Sequence, residues 1–424
     1  MKIFCSGIGG IGLSAYAALQ RAAGHQVLGS DRTDSALLHD LRSQGISITL
    51  NQDGSALSKD IDLFVYSEAI PATSPERRKA AELGIPQQSY PQAVAELTKG
   101  KHLIAVCGTH GKSSTTAMAG RLLLESGLDP TIVVGTKMKE LGGKNWRKGS
   151  GDIFLLEACE YRRSFLNYSP SVVLLTTCDG DHFDYFTSKK DYHDAYVEFL
   201  RRLPSDGVVI THMDDPECAA VATASGKKIL DAGGCPEIMM KTPGEHMRRN
   251  AKLALALGEH LGLPGDESRK ILSSYAGSWR RMDIRGEMKE GITVIDDYGH
   301  HPLEIRATLA GLREAYPKRR IVCVFQPHTH DRTKKLYREF TQSFRDADLV
   351  VIANVYDARA HLEKGSVDVD EFVTAISKRS RVETKNGHSL QETEKMLRAL
   401  TKNDDVVVCM GAGDITDLAT RLLS

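Results

Sequence analysis

Two stretches of this 424-residue chain combine residue types and spacings suited to holding phosphate groups. The first in strength is Gly108-Thr109-His110-Gly111-Lys112-Ser113-Ser114, which follows the apolar run Leu103–Cys107 and leads into helical spacing over Ser114–Leu124. Backbone N–H groups of such a loop, with a lysine and a hydroxyl, cradle a triphosphate and its Mg²⁺. The strict pattern G-x-x-x-x-G-K-[ST] would put a glycine where Val106 stands, so the match is to a shorter variant, G-T-x-G-K-S. Carboxylates that could complete a magnesium site stand at the ends of later apolar runs. Glu157 closes Ile153–Leu156, and Asp179-Gly180-Asp181-His182 follows Val172–Thr176.

The second stretch is Gly7-Ile8-Gly9-Gly10-Ile11-Gly12, a G-x-G-x-x-G pattern directly after an apolar run and before helix-compatible sequence. Its glycines allow a tight turn and close backbone approach to a pyrophosphate at a helix N-terminus. Asp31 ends the next apolar run, at the spacing of a ribose-binding acid. Alone, this motif suggests a nicotinamide-dependent oxidoreductase, although it specifies a diphosphate-bearing nucleotide better than a nicotinamide. A simple dehydrogenase needs one such loop. Two loops on separate expected domains point instead to an ATP-driven reaction on a substrate that itself carries a diphosphate.

The elements that must position these loops follow a repeating order of apolar run, glycine turn and amphipathic stretch. That order predicts an α/β chain with mostly parallel sheets. Strands are expected at Ile3–Cys5, Gln26–Leu28, Asp62–Tyr66, Leu103–Cys107, Ile153–Leu156, Val172–Thr176, Gly207–Ile210, Ile292–Ile295, Ile321–Phe325, Leu349–Ile352 and Val406–Cys409, with a helix over Pro302–Arg313. The length implies about three domains. Junctions are expected near the polar Leu97-Thr98-Lys99-Gly100-Lys101 and just after Trp279-Arg280-Arg281-Met282-Asp283, giving spans 1–99, 100–283 and 284–424.

Composition excludes several classes. Lys+Arg and Asp+Glu both number 55, so there is no basic surplus of the kind a nucleic-acid binder shows. No apolar run approaches the roughly 18 residues of a membrane span, and the N-terminus turns glycine-rich too early for a signal peptide. The eight cysteines are scattered without a C-x-x-C pair, which fits a reducing cytoplasm.

An ordered set of motifs along the chain resembles the Mur ligase family. Besides Gly7–Ser14, Gly29-Ser30-Asp31 and Gly108–Thr116, it includes Glu157-Ala158-Cys159-Glu160 and Asp181-His182-Phe183-Asp184-Tyr185. Pro243-Gly244-Glu245-His246 with Asn250, Ser278-Trp279-Arg280-Arg281 and Asp296-Asp297-Tyr298-Gly299-His300-His301-Pro302 follow. Phe325-Gln326-Pro327-His328 with Arg332-Thr333, and Gly411-Ala412-Gly413-Asp414-Ile415, complete it.

The resemblance implies three α/β domains: Rossmann-like UDP-binding, P-loop-type ATP-binding, and a C-terminal Rossmann-like domain that closes over the others. It implies an ATP- and Mg²⁺-dependent ligase of the alanine-adding branch, which joins L-alanine to UDP-N-acetylmuramate early in peptidoglycan synthesis, and so serves the cell wall, cell shape and division. By the same resemblance Gly7, Gly9, Gly10, Ile11, Gly12, Ser14 and Asp31 hold the UDP part. Gly108, Thr109, His110, Gly111, Lys112, Ser113 and Ser114 hold the ATP phosphates, with Ser113 and Glu157 at one Mg²⁺ and His182 at a second. Asn250 faces adenine and Arg281 the ribose or γ-phosphate, while Asp297, Tyr298 and His300 complete the nucleotide site. His328 and Arg332 hold the amino acid. No nucleic-acid partner or membrane insertion is expected, and the oligomer is a monomer or weak homodimer.

The chain departs from the family pattern at Met247, where the family usually has Asn, and at Thr329 and His330, where it has Arg and Tyr. The central domain is trimmed between Ile229 and Pro243, and His193 lies near the place where some relatives carry a carbamylated lysine. Other readings stay open at this stage. A murein tripeptide ligase is the rival within the family, and a nucleotide-binding regulator without catalysis is another. His300-His301 and His328-x-His330 suggest a zinc centre, but no H-E-x-x-H accompanies them. Trp279 and Tyr298 read equally as core aromatics, and Tyr161-Arg162-Arg163 as a solvated turn or a contact to substrate anions.

Overall fold

Parallel strands buried on both faces need near-continuous apolar sequence, and every run expected to be a strand is one. The computed structural model describes residues 1–182, 185–356 and 366–424; Phe183 and Asp184 of the expected metal-binding motif lie outside the described residues. The strands build three sheets, each covered by helices, in a three-domain α/β arrangement of Rossmann-like type.

The first sheet contains β1 (Lys2–Ser6), β2 (Gln26–Ser30), β3 (Ser47–Thr49), β4 (Leu63–Tyr66) and β5 (Gln87–Ser89). All are parallel, in the order β3-β2-β1-β4-β5. The direction of winding reverses between β1 and β4, and the glycine loop after β1 opens into the crevice that such a reversal creates.

The second sheet contains β6 (His102–Cys107), β7 (Thr131–Met138), β8 (Lys144–Arg147), β9 (Ile153–Glu157), β10 (Val172–Leu175), β11 (Val208–Thr211) and β12 (Lys228–Asp231). Its order is β12-β11-β10-β6-β9-β7-β8, parallel except for β8. With β6 between β9 and β10, the loop after β6, Glu157 at the end of β9 and the segment after β10 share one edge.

The third sheet contains β13 (Asp283–Glu287), β14 (Thr293–Asp297), β15 (Ile321–Phe325), β16 (Leu349–Ala353), β17 (Glu383–His388) and β18 (Val406–Met410). Its order is β13-β14-β18-β15-β16-β17, with β13 antiparallel to β14.

The described residues divide into two compact units. One is Met1–Ile238 with Arg249–Leu272, and the other Met239–Arg248 with Ser273–Ser424. The first unit carries the first two sheets, which share a continuous core: Ile3, Tyr16 and Val65 belong to the same buried cluster as Leu103, Val173 and Phe199. A hydrogen bond from the buried Asn145 amide on β8 to the Ile11 carbonyl, 2.6 Å, ties the second sheet to the first glycine loop. The second unit has an apolar layer on each face of its sheet, one around Phe325, Phe340 and Phe344 and one around Val324, Val407 and Leu418.

The strands that apolar runs do not announce are mostly edges. β3, β5, β8, β12, β13 and β17 each border a sheet, where one side meets solvent and polar residues are tolerated. No described helix is long and apolar enough to cross a membrane. All eight cysteines are free thiols, and all but Cys159 are buried.

Candidate active site

The loop after β6 is fixed by the segment that follows β10. Gly108 has φ +141°, and a Cβ there would fall 1.9 Å from the Thr176 hydroxyl and 2.8 Å from the Thr177 nitrogen, so only glycine fits. Thr109 N–H donates to the Thr177 carbonyl at 2.8 Å, and His110 N–H to the Thr177 hydroxyl at 3.0 Å. The Thr109 hydroxyl meets Tyr192 at 2.8 Å, and His110 Nε2 lies 3.1 Å from an Asp179 carboxylate oxygen. Gly111 packs directly on Asn250, whose Oδ1 would sit 2.6 Å from an added Cβ, so the structure brings Asn250 against the loop.

Lys112 begins the helix Lys112–Glu125, whose N-terminus favours anions. Its ammonium donates to the carbonyls of Gly108 and Thr109 and pairs with Glu160 at 3.0 Å. Burial by itself would push the lysine toward neutrality, but Glu160, with Cys159 and Glu157 behind it, more than offsets this and holds its pKa above the ordinary value. Burial raises and Lys112 and His182 lower the pKa of Glu160, which stays below the usual carboxylate range. Both groups are therefore charged at neutral pH.

Around this pair the oxygen donors fall into two sets. Ser113 hydroxyl donates to Glu157 Oε1 at 3.0 Å, and Gly135 N–H holds the other Glu157 oxygen at 2.7 Å. Ser114 is buried in the first turn of the same helix. A hydroxyl and a carboxylate are the hard donors that Mg²⁺ prefers, so this pair fits that ion. His182, with φ +57°, brings Nε2 to 3.4 Å from Glu160 and stacks against Tyr161 at 4.6 Å between ring centres. Cys159, Glu160 and His182 place their ligand atoms within 4.8 Å of one another, the one such group among the described residues. Glu160, which the motif contains but to which the sequence assigns no role, is the residue that joins Lys112 to His182 here. Its signal was a second acid three residues after Glu157, on the turn rather than the strand.

In the first glycine loop, Gly7 and Ile8 donate their N–H groups to the Ser30 carbonyl, at 2.8 and 3.0 Å. Gly10 precedes the helix Ile11–Ala22, which contains Gly12, and Ser14 Oγ donates to the Ile11 carbonyl at 2.9 Å. Asp31 accepts from Gly9 N–H at 2.7 Å through one oxygen and from Arg32 N–H at 2.7 Å through the other. The acid expected to meet a ribose thus shapes the loop.

The second unit gathers the remaining expected residues. Arg281 lies 4.6 Å over the Tyr298 ring, Tyr298 is 5.2 Å from His300, and His300 is 5.8 Å from His328. These form a continuous row of cation and rings, in which Tyr298 faces Arg281 rather than serving as a plain core aromatic. His328 also stacks on Tyr356 at 5.8 Å, and Thr329, at φ +64°, caps the short helix His330–Lys335 by accepting from Arg332 N–H. Arg280 was missed as a separate role: its guanidinium donates to the Gly411 and Gly413 carbonyls, tying the Ser278–Arg281 turn to the loop after β18. Two histidines suggested as zinc ligands are used as acceptors instead. His301 Nδ1 accepts from Leu303 N–H and His330 Nδ1 from Val367 N–H.

The whole chain has relatives among known proteins. It matches the Mur ligase family, catalytic domain, over residues 2–102, the Mur ligase middle domain over 106–242, and the Mur ligase, glutamate ligase domain, over 280–413. It is 36% identical to the UDP-N-acetylmuramate–L-alanine ligase of Desulfitobacterium hafniense, covering 100% of this chain and 99% of that protein. The crystal structure of a UDP-N-acetylmuramate-alanine ligase from Thermotoga maritima aligns with a TM-score of 0.83 at 28% identity, over 100% of this chain and 98% of that one. A murein peptide ligase from Psychrobacter arcticus aligns at 0.73 and 22% identity, over 100% of this chain and 98% of its own, a likeness of fold. The chain belongs to the Mur ligase family.

Asp297 gives the second unit a pH signature. It accepts from Met282 N–H at 2.9 Å and Gly299 N–H at 2.8 Å, yet burial lifts its carboxyl from the ordinary 3.8 to about 6. Between those values the unfolded chain has lost a proton that the folded chain keeps, so this group's stabilising contribution declines as pH rises. Asp297→Asn is neutral throughout. Its melting temperature relative to wild type is expected to rise between about pH 4 and about pH 7; a constant difference would show that Asp297 ionises normally.

Proposed function

We propose that this Mur ligase joins the amine of L-alanine to the carboxylate of UDP-N-acetylmuramate, using ATP to activate the carboxylate. Support comes from full-length relatives carrying that name. The single observation that carries the chemistry is the Lys112 ammonium, held at a helix N-terminus between two carbonyls and Glu160, beside Ser113 and Glu157.

A carboxylate is a poor acyl donor. Transfer of the γ-phosphoryl of ATP makes it an acyl phosphate, the amine adds to the acyl carbon, and phosphate leaves. The transfer brings anionic groups together, and the protein's part is positioning and charge neutralisation. Lys112 and the N–H groups of Gly108–Ser114 receive the phosphates, and Glu160 keeps the lysine charged and aimed. Mg²⁺, held by Ser113 and Glu157 and at a second position by Glu160 and His182, would supply further neutralisation at the transferring group. Asn250 faces adenine.

The UDP part is taken by the first loop, Gly7–Ser14, in the span 1–99. The span 100–283 takes ATP, and the span 284–424 brings Arg281's neighbours Tyr298 and His300 to the nucleotide and His328 and Arg332 to the amino acid. Closure of that third span excludes water, which would otherwise hydrolyse the acyl phosphate. The enzyme works in the cytoplasm as a monomer or weak homodimer.

The direct test is phosphate release from ATP with UDP-N-acetylmuramate and Mg²⁺, comparing L-alanine, L-serine, glycine and murein tripeptide. L-alanine is expected to give the fastest release, and omission of the UDP-sugar to abolish it; preference for the tripeptide would move the chain to the murein-recycling branch. Lys112→Ala is expected to lose turnover by at least about a hundredfold while keeping UDP-substrate affinity. Normal turnover in that variant would remove Lys112 from the reaction. Arg332→Ala is expected to raise the amino-acid KM about tenfold and leave the ATP KM unchanged. An unchanged amino-acid KM would place the acceptor elsewhere.

A further inference from the structure

Cys159, Glu160 and His182 each offer one ligand atom to a common point, and the three donors differ in kind. A carboxylate and an imidazole accept a hard or a borderline cation. A thiolate favours zinc and softer ions over magnesium. Two of the three are open to solvent: Cys159 is the one exposed cysteine, and the His182 side chain is 25% exposed. Glu160 between them is fully buried. Its Oε1 lies 3.4 Å from His182 Nε2 and 3.1 Å from the Lys112 ammonium. Its Oε2 is 3.0 Å from that ammonium yet completes no hydrogen bond, so it keeps a lone pair for a cation. The protein fixes all three groups locally. Phe165 N–H donates to the Cys159 carbonyl at 3.0 Å, Arg163 N–H donates to the Glu160 carbonyl at 2.8 Å, and the Tyr161 ring stacks on His182.

We propose that these side chains form a thiolate-containing site for Zn²⁺, and that zinc bound there blocks turnover; the block rests on the ligase reading above, whereas the binding does not. Three protein ligands with water in the fourth position make an ordinary zinc arrangement. On binding, a metal–sulfur bond forms and the thiol proton passes to solvent. Mg²⁺ at the same place would have only the carboxylate and the imidazole to use, since a hard ion gains little from sulfur. The consequence for turnover lies in Glu160. A zinc ion that draws on this carboxylate takes it from Lys112, which then loses the counter-ion that aims it at the phosphates. The same ion excludes the second Mg²⁺.

Titration of the full chain with Co²⁺, a coloured stand-in for Zn²⁺, tests the site without turnover. A thiolate-to-cobalt charge-transfer band is expected in the near ultraviolet, displaced by Zn²⁺ and resistant to a large excess of Mg²⁺. Cys159→Ser is expected to abolish the band, and His182→Ala to weaken Zn²⁺ binding at least about tenfold. The other cysteines are all buried. A band that survives Cys159→Ser therefore comes from one of them and overturns the assignment, as does the lack of any band in wild type. Phosphate release in saturating Mg²⁺ then tests the block. Zinc at the concentration that displaces cobalt is expected to slow wild type at least about tenfold, and Cys159→Ser to need at least about tenfold more zinc for the same effect. Unchanged turnover of wild type with the site filled by zinc overturns the block. A cobalt band in a protein that releases no phosphate even with Mg²⁺ alone upholds the site and overturns the ligase reading instead.

Discussion

A half-buried lysine at the edge of a parallel sheet must be compensated, and the candidate site is organised around that requirement. Lys112 sits at the start of a helix whose exposed N–H groups already favour anions, so the ammonium adds to a positive end. Such an arrangement is tolerated only if anions stand nearby. Glu160 is fully buried and supplies the direct partner, while Glu157 completes the negative charge from the neighbouring strand. In the proposed reaction a phosphate group would take over part of Glu160's role as counter-ion.

The surrounding residues follow from that pair. Glu157 must reach Ser113 from the end of β9, and its second oxygen is held by Gly135 N–H on β7. Residue 135 is a glycine because an added Cβ would fall 2.6 Å from the carboxylate. Thr176 and Thr177 hold the loop from β10, and their contact with Gly108 leaves no room for a side chain. Four of the non-glycine residues with positive φ lie near proposed site groups, His182 here and Arg280, Met282 and Thr329 in the second unit. Each sits beside a residue with a proposed role in binding, which fits the tendency of strained backbone to be retained where geometry has to be exact in function.

Much of this was legible in the sequence because the central strands of parallel sheets are written as apolar runs and the phosphate loops as glycine patterns. The edge strands were not, since a border such as Lys228–Asp231 or Glu383–His388 has only one neighbour and keeps polar residues. β7 was hidden for another reason, its pattern being interrupted by Gly135, which the Glu157 contact requires. Among site residues, motif reading located Lys112, Ser113, Glu157 and His182, which share one edge of the second sheet, but it could not tell that Glu160 is the lysine's partner. That role depends on the turn Tyr161–Asn167 folding the acid inward, with two consecutive arginines, Arg162 and Arg163, in the left-handed region. Those arginines also have structural partners: Arg162 donates to the Glu68 carbonyl and Arg163 pairs with Asp191 and Glu198. Asp31 shows the converse limit, since spacing alone could not distinguish a ribose ligand from a loop brace.

The central claim is that ATP activates the substrate carboxylate as an acyl phosphate before the amine attacks. Labelling both carboxylate oxygens of UDP-N-acetylmuramate with ¹⁸O and analysing the phosphate released in the presence of L-alanine tests it most directly. The account predicts one ¹⁸O atom in each phosphate released, because the carboxylate oxygen that attacked the γ-phosphorus leaves with it. Phosphate free of label, with the departing ¹⁸O found in AMP or in water instead, would contradict it.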